Sequence, residues 1–256
     1  MRHVLIGSTR APSAARGAQS LADPRQLDAK LVMVAPKAGS HVSFPENAIL
    51  ILPGGNYDYC SLRGPMEFAT WVSALGLRAY VLQYRVRSGG YFWPAPLEDY
   101  VDAMEMIIGD FADEAARRET TWHTRPKIGV LGSSAGGHLA SYVASTAPSS
   151  LKPDFQILLY PACDVETPAD DPWLARLGYP GPATNTFDLV TPATPPCFTA
   201  VSTFDEVSSF ELNVEPLLAA YKANNVPYEL VLEPIGKGQS AKSEHRSRTT
   251  PRRPLS

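Results

Sequence analysis

The residues of this chain best suited to chemistry lie near its middle, where positions 132–136 read Gly-Ser-Ser-Ala-Gly, a G-x-S-x-G pattern. An apolar, β-favouring run at 127–131 precedes it, and a stretch rich in small residues, which predicts a helix, follows it. A serine on a sharp strand-to-helix turn has an exposed hydroxyl, and the N–H groups that begin the helix can stabilise an oxyanion. The pattern therefore predicts Ser134 as a nucleophile. The alternative interpretation is a glycine-rich turn with an incidental serine.

Length, composition and charge indicate what class of protein carries this motif. The chain has 256 residues, of which 44% are hydrophobic, which predicts one large α/β domain with a sizeable core. The net charge is −3, but the residues from 237 onwards carry +5 and the remainder carries −8. An acidic body argues against a nucleic-acid partner.

The cysteines and the apolar runs indicate a compartment. The three cysteines have no metal-binding spacing and cannot all pair with one another, which predicts free thiols in a reducing environment. No apolar run is long enough for a signal peptide or a membrane span. We therefore expect a soluble cytoplasmic protein without a membrane partner. The sequence leaves the oligomeric state open.

Hydrophobic periodicity predicts strands that alternate with helices. The predicted strands are 31–35, 48–52, 77–84, 127–131, 155–160, 197–203 and 228–233, and the predicted helices are 65–75, 98–117, the one after the G-x-S-x-G, and 214–224. The fold class that follows is α/β, a mostly parallel sheet with helices on both faces.

The ends of the chain and one long insert have a different composition. Residues 1–29 are predicted to be a loosely ordered arm or a first strand, residues 30–236 the domain, and residues 237–256 a basic, disordered tail. Residues 162–194 lack periodicity and are predicted to be a short lid or an excursion into solvent. The aromatic and apolar candidates for the pocket wall are Trp173, Leu174, Leu177 and Tyr179 in this segment, and Tyr57 and Trp93 outside it.

Several motifs together resemble a known family. They are ILPGGNY, VLQYRV followed by WPAPLEDYVDAM, IGVLGSSAGGHLAS, YPACDV and TPATPPCF. The chain from about residue 48 to residue 236 resembles the α/β-hydrolase fold, and within it the small esterase and lipase group that includes acetyl-xylan and feruloyl esterase-like proteins. The resemblance implies a three-layer sandwich and a serine nucleophile, but it does not specify a substrate.

The resemblance also implies roles for other residues. The backbone N–H of Ala135 would form half of the oxyanion hole, and the loop that contains Gly55 and Asn56 would form the other half. Asn56 stands where the family usually has a third glycine, and asparagine tolerates the left-handed region better than most residues. The triad order places the acid after the seventh strand, which implies Asp205, with Glu206 as the neighbouring alternative.

The catalytic base is where this chain departs from the family. The family has a histidine in a glycine-flanked turn after its last strand, whereas residues 236–238 here read Gly-Lys-Gly. The pKa of Lys237 should be too high for a neutral base at pH 7. His245 is the only histidine after the last predicted strand, and His138 on the elbow helix is predicted to be structural. A truncated or mis-spliced end would also explain the change of composition after Gly236.

The sequence thus predicts a serine carboxylester hydrolase that acts on a small acetyl or aryl ester and needs no cofactor or metal. We expect weak activity because the histidine is missing. One alternative is a catalytically inactive, hydrolase-like protein that binds a ligand or a partner. Another is a peptidase or amidase on the same fold.

Overall fold

An eight-stranded sheet organises the computed structural model, which describes residues 2–5, 28–37, 47–117, 126–164 and 185–233. The strands are β1 (Arg2–Leu5), β2 (Lys30–Val34), β3 (Ala48–Leu52), β4 (Arg78–Gln83), β5 (Ile128–Ser133), β6 (Gln156–Leu159), β7 (Cys197–Ser202) and β8 (Tyr228–Glu233). Their order across the sheet is β1-β2-β4-β3-β5-β6-β7-β8.

The pairing of the strands determines where a site can form. Strands β3 to β8 are mutually parallel, whereas β2 pairs in antiparallel fashion with both of its neighbours, β1 and β4. The carboxyl ends of the parallel strands therefore share one edge of the sheet, which is where open α/β sheets bind their ligands. β3 and β5 are buried at every position because they lie at the centre and are covered on both faces.

Among the residues that the structure describes, four α-helices cover the two faces of the sheet. They are α1 (Arg63–Ala74), α2 (Ala95–Arg117), α3 (Ala135–Thr146) and α4 (Glu215–Ala223). Alternate side chains of β3 point to opposite faces, so Leu50 belongs to the larger apolar cluster with α2, α3 and α4, and Ile51 belongs to the cluster with α1. The predicted fold class, with helices on both faces of a mostly parallel sheet, is confirmed.

The boundaries differ from the predicted ones where prolines lie near a helix start. α1 and α2 begin at Arg63 and Ala95, two and three residues before the predicted starts. Both helices contain a proline in their first turn, where the missing N–H costs nothing because the first helical N–H groups have no partner within the helix. Three short helices were not predicted, namely the 3-10 helices Arg87–Gly89 and Thr186–Leu189 and the π-helix Phe210–Val214.

The predictions for the chain ends are tested only in part. The start of the predicted arm forms strand β1, which pairs with β2. Residues 6–27, residues 165–184 of the predicted lid, and the tail with the turn before it lie outside the described residues. The pocket-wall candidates at positions 173, 174, 177 and 179 lie there as well. Within the described ranges, no helix combines the length and apolar character needed to cross a bilayer.

Candidate active site

The G-x-S-x-G forms the predicted strand, turn and helix. β5 ends at Ser133, α3 begins at Ala135, and Ser134 between them has φ 52° and ψ −122°. This backbone conformation is strained for a residue with a side chain, and such strain is typical of functional sites. Ser134 is half-buried at the carboxyl edge of the sheet, and its N–H donates to the Leu159 carbonyl at 3.1 Å. The end of the neighbouring strand β6 therefore holds the sharp turn.

The loop after β3 has three consecutive residues with positive φ. Gly55, Asn56 and Tyr57 have φ values of 132°, 54° and 56°. The Gly55 carbonyl accepts hydrogen bonds from the N–H groups of Asp58 and Tyr59 at 2.9 and 3.2 Å, which closes a tight turn. Left-handed residues in sequence turn successive N–H groups toward one concave side, an arrangement suited to anions.

This loop, defined here as the candidate oxyanion loop 53–58, lies directly against the turn at Ser134. A Cβ added to the buried Gly54 would lie 2.9 Å from the Ser133 carbonyl oxygen and 3.1 Å from Ser134 Cβ. Only glycine allows this close approach of the two backbones. The structure thus brings together Ser134, Ala135 at the start of α3, and the loop that contains Gly55 and Asn56.

Asp205 lies three residues beyond β7, at the same edge of the sheet. Its Oδ1 accepts hydrogen bonds from the backbone N–H groups of Val207 and Ser208, at 2.9 and 2.8 Å. The carboxylate is half-buried, whereas neighbouring Glu206 is exposed. A carboxylate whose orientation is set by its own loop is suited to orient a second group, which favours Asp205 over Glu206 as the candidate acid.

The candidate base His245 lies outside the described residues, as does Lys237, which stands where the family has its histidine. His245 and Lys237 follow β8, which ends at Glu233. β8 pairs with β7 along its full length, and the Thr203 N–H donates to the Glu233 carbonyl at 3.1 Å. Strand β8 therefore ends at the edge of the sheet that carries Asp205.

His138 connects the elbow helix to the oxyanion loop. Its Nδ1 lies 2.8 Å from the Tyr57 hydroxyl, and its ring packs edge-on against Tyr57 and Trp93 at 5.8 and 5.7 Å. Trp93 in turn packs against Tyr142 on α3. The sequence predicts Tyr57 and Trp93 only as candidates for the pocket wall. No local pattern predicts that both of them contact His138.

Burial lowers the pKa of His138 from 6.5 to about 4, because its side chain is almost entirely removed from water. The ring is therefore neutral at pH 7. Deep burial one helical turn beyond Ser134 supports the structural role predicted for it. Among the residues that the structure describes, no group of three or more histidine, cysteine or carboxylate side chains could hold a metal ion.

We expect His138 to make stability depend on pH in a specific window. Its pKa in the folded state lies below its unfolded value of about 6.5, so the unfolded chain binds more protons and stability falls as the pH drops from 6.5 towards 4. At pH 5 this contribution should be about 2 kcal/mol smaller than at pH 7.

The comparison of wild type with His138→Asn, by urea unfolding at pH 7, 6 and 5, measures this effect. Asparagine keeps a polar partner for Tyr57 but does not titrate. Burial raises the pKa of Asp99 to about 6, which has the opposite effect on stability, but this contribution is common to both proteins. The advantage of wild type should shrink as the pH falls, and parallel pH profiles would contradict the assignment.

Exposed apolar side chains occur in the segments that follow β3, β4, β6 and β7. They are named the rim residues here and are Tyr59, Phe92, Tyr160, Phe204 and Val207. Because open α/β sheets bind their ligands at the carboxyl ends of the parallel strands, these residues are candidates for a binding surface.

Comparison with known proteins shows that this chain is similar to hydrolases. A sequence profile of the alpha/beta hydrolase fold matches residues 49–190. An acetylxylan esterase of Xylanibacter ruminicola is 30% identical over 149 residues, which represent 54% of this chain and 29% of the relative. The chain thus matches less than a third of the length of that relative.

Solved structures give the same fold over most of the chain. An acetyl ester-xyloside bifunctional hydrolase from Caldicellulosiruptor lactoaceticus has a TM-score of 0.66 and 28% identity, and the match covers 84% of this chain and 81% of that one. A carboxylesterase from Lactobacillus plantarum has a TM-score of 0.67 over 92% of this chain and 84% of its own. Its identity of 21% indicates a shared fold alone.

Proposed function

Because the chain belongs to the α/β-hydrolase fold family, we propose that it is a serine carboxylester hydrolase with Ser134 as its nucleophile. The Ser134 hydroxyl attacks the ester carbonyl while a base accepts its proton. The N–H groups of Ala135, Gly55 and Asn56 stabilise the oxyanion. The alcohol leaves, and water then hydrolyses the acyl-enzyme.

The observation that carries this proposal is the strained serine in contact with the oxyanion loop. Ser134 has φ 52° at the end of a buried central strand, and Gly54 lies against its Cβ. If the turn had only a structural role, glycine would adopt this conformation without strain. A strained serine at the ligand-binding edge of the sheet therefore favours a functional role. Proteins whose names describe ester hydrolysis match 54% of the chain in sequence and 84% of it in structure.

The substrate we propose is a small ester, acetyl or aryl, with an apolar portion that contacts the rim. The relative from Xylanibacter ruminicola is named an acetylxylan esterase, and the structure from Caldicellulosiruptor lactoaceticus is that of an acetyl ester-xyloside bifunctional hydrolase. Aromatic rim residues such as Tyr59 and Phe92 would contact either an aryl group or the apolar face of a sugar.

The base decides how active the chain is. We expect the wild-type chain to hydrolyse acetyl and butyryl p-nitrophenyl esters only weakly, since lysine at position 237 cannot act as a neutral base at pH 7. An oxyanion hole and substrate binding alone still accelerate hydrolysis by about 10³–10⁴ over the reaction in water. Lys237→His should raise turnover about 100-fold, in line with the contribution of a positioned general base.

Two controls accompany this measurement. Lys242→His places the same imidazole elsewhere in the same tail and should leave turnover unchanged, and His245→Ala should also have no effect. If His245→Ala abolishes a robust native activity, the tail itself supplies the base. If Lys237→His gains nothing and no serine-directed probe reacts, the alternative of an inactive ligand-binding or partner-binding protein replaces the proposal.

A further inference from the structure

We propose that Tyr84 is a positioning residue for the oxyanion loop 53–58, a role that rests on the proposed function. Tyr84 follows β4 directly, and β4 is the neighbour of β3 in the sheet. The chain after β4 therefore passes alongside the loop after β3. The Tyr84 side chain is fully buried there.

Tyr84 contacts the oxyanion loop before, within and just after its turn. Its hydroxyl donates a hydrogen bond to the Pro53 carbonyl at 2.5 Å. Its ring packs on the ring of Tyr57 with centroids 5.7 Å apart, and its own carbonyl lies 3.5 Å from the Cys60 thiol. The Tyr84 side chain thus contacts Pro53, which precedes the strained segment 55–57, and Tyr57, which ends it.

The residues after Tyr84 hold the other side of the same loop. The N–H of Arg87 donates to the Tyr57 carbonyl at 2.8 Å, and the N–H of Ser88 donates to the Asp58 carbonyl at 3.2 Å. The Arg87 guanidinium also pairs with the Asp58 carboxylate at 2.5 Å. The segment 84–88 is therefore a supporting segment for the loop.

A buried ion pair fixes this supporting segment to α2. The backbone N–H of Arg85 donates to Asp99 Oδ2 at 2.6 Å, and its Nε donates to Asp99 Oδ1 at 2.7 Å. Asp99 is almost fully buried in the long helix α2. The segment 84–88 thus contacts the oxyanion loop on one side and is held to the rigid helix α2 by Asp99 on the other. Precise positioning of an active-site group requires such support.

The consequence for catalysis follows from the position of Pro53, immediately before Gly54. Oxyanion donors must lie 2.7–3.1 Å from the developing oxygen, and a displacement of about 1 Å can cost about 100-fold in rate. Consecutive non-glycine residues with positive φ keep their conformation only when surrounding contacts enforce it. Loss of the Tyr84 hydroxyl should therefore slow the chemical step more than it weakens binding.

Tyr84→Phe tests this role, with Tyr100→Phe as the matched control. Tyr100 is equally buried and donates to the Leu151 carbonyl at 2.7 Å, but this bond connects α2 to the chain after α3. Each variant loses one buried tyrosine-to-carbonyl hydrogen bond, so their denaturant midpoints should fall by similar amounts. The readout is the saturation kinetics of Ser134 labelling by a fluorophosphonate, whose addition to serine also develops charge on oxygen.

In Tyr84→Phe we expect the limiting labelling rate to fall about tenfold or more, while the probe concentration that gives half-maximal rate stays within about twofold. Tyr100→Phe should change neither value. Equal labelling kinetics in the two variants would overturn the positioning role. A wild-type chain that no probe labels would instead contradict the proposed function, and this inference with it.

A second pair of variants decides the question if Tyr84→Phe does not fold. Arg87→Gln removes the partly exposed ion pair with Asp58, and Arg63→Gln removes the exposed ion pair with Glu67 on α1. Only Arg87→Gln should lower the limiting labelling rate. If both variants label like wild type, the segment 84–88 does not position the loop.

Discussion

We expect Ser134→Ala to abolish labelling by a fluorophosphonate, because the probe then has no nucleophile at the turn to modify. Loss of a serine nucleophile costs about 10⁶ in turnover in a complete triad, but an oxyanion hole and binding alone still accelerate hydrolysis about 10³–10⁴-fold over water, so the fall in ester hydrolysis should be smaller in a chain that lacks the base. Alanine keeps the Cβ of serine, so the strain at φ 52° and the packing against Gly54 should be preserved. The variant should therefore unfold at the same urea concentration as wild type.

Ser133→Ala is the control for the nucleophile, because Ser133 precedes Ser134 in the same turn but ends strand β5 and is buried. We expect it to label at the wild-type rate. Mass spectrometry of the labelled peptide locates the modified residue. Label on Ser133, or on a serine far from the turn, would refute the assignment of the nucleophile.

The second large effect should follow from Gly136→Ala, which places a methyl group where two backbones meet. A Cβ at position 136 would overlap the Leu52 carbonyl oxygen and lie 2.5 Å from the Pro53 carbonyl oxygen. Neither oxygen is at the end of a flexible side chain, so β3 and α3 must separate. We expect a loss of unfolding free energy of about 3 kcal/mol or more, at the high end for overpacked cores.

The same substitution should impair the site even if the protein folds. Leu52 and Pro53 lead directly into the oxyanion loop, so their displacement moves the loop away from Ser134. Urea unfolding followed by tryptophan fluorescence measures the stability, and fluorophosphonate labelling measures the site. We expect the labelling rate to fall in whatever fraction of the protein remains folded.

Gly109→Ala is the matched control, because Gly109 lies within α2, is exposed, and has no atom within 4 Å of an added Cβ. It should raise stability by about 0.5–1 kcal/mol, since alanine favours the helix over glycine. It should leave labelling unchanged. Similar stabilities for the two variants would contradict the close approach of β3 and α3.

The sequence alone determined the order of elements and the position of the candidate nucleophile. Both depend on local chemistry. Apolar runs such as AILIL are the pattern of a buried central strand, and the G-x-S-x-G between an apolar run and a small-residue helix predicts a sharp turn. The family resemblance, which rests on motifs along the chain, is confirmed by the match at residues 49–190.

Helix boundaries and short helices were decided by tertiary context. The sequence predicts starts at residues 65 and 98, whereas α1 and α2 begin at Arg63 and Ala95, because proline is compatible with the first turn of a helix. The π-helix before α4 has no periodic signature in the sequence. Its Asn213 side chain instead accepts the N–H groups of Cys163 and Asp164, which are 50 and 49 residues distant.

The support of the candidate site could be decided only by tertiary structure. Tyr84 and Pro53 are 31 residues apart, and Tyr57 and His138 are 81 apart, yet each pair forms a buried hydrogen bond. A pattern in a single sequence does not predict such long-range contacts. They depend on which strands become neighbours and on how closely their loops pack. The sequence therefore identified the candidate nucleophile as a local motif, while the folded sheet determined which residues contact the loop beside it.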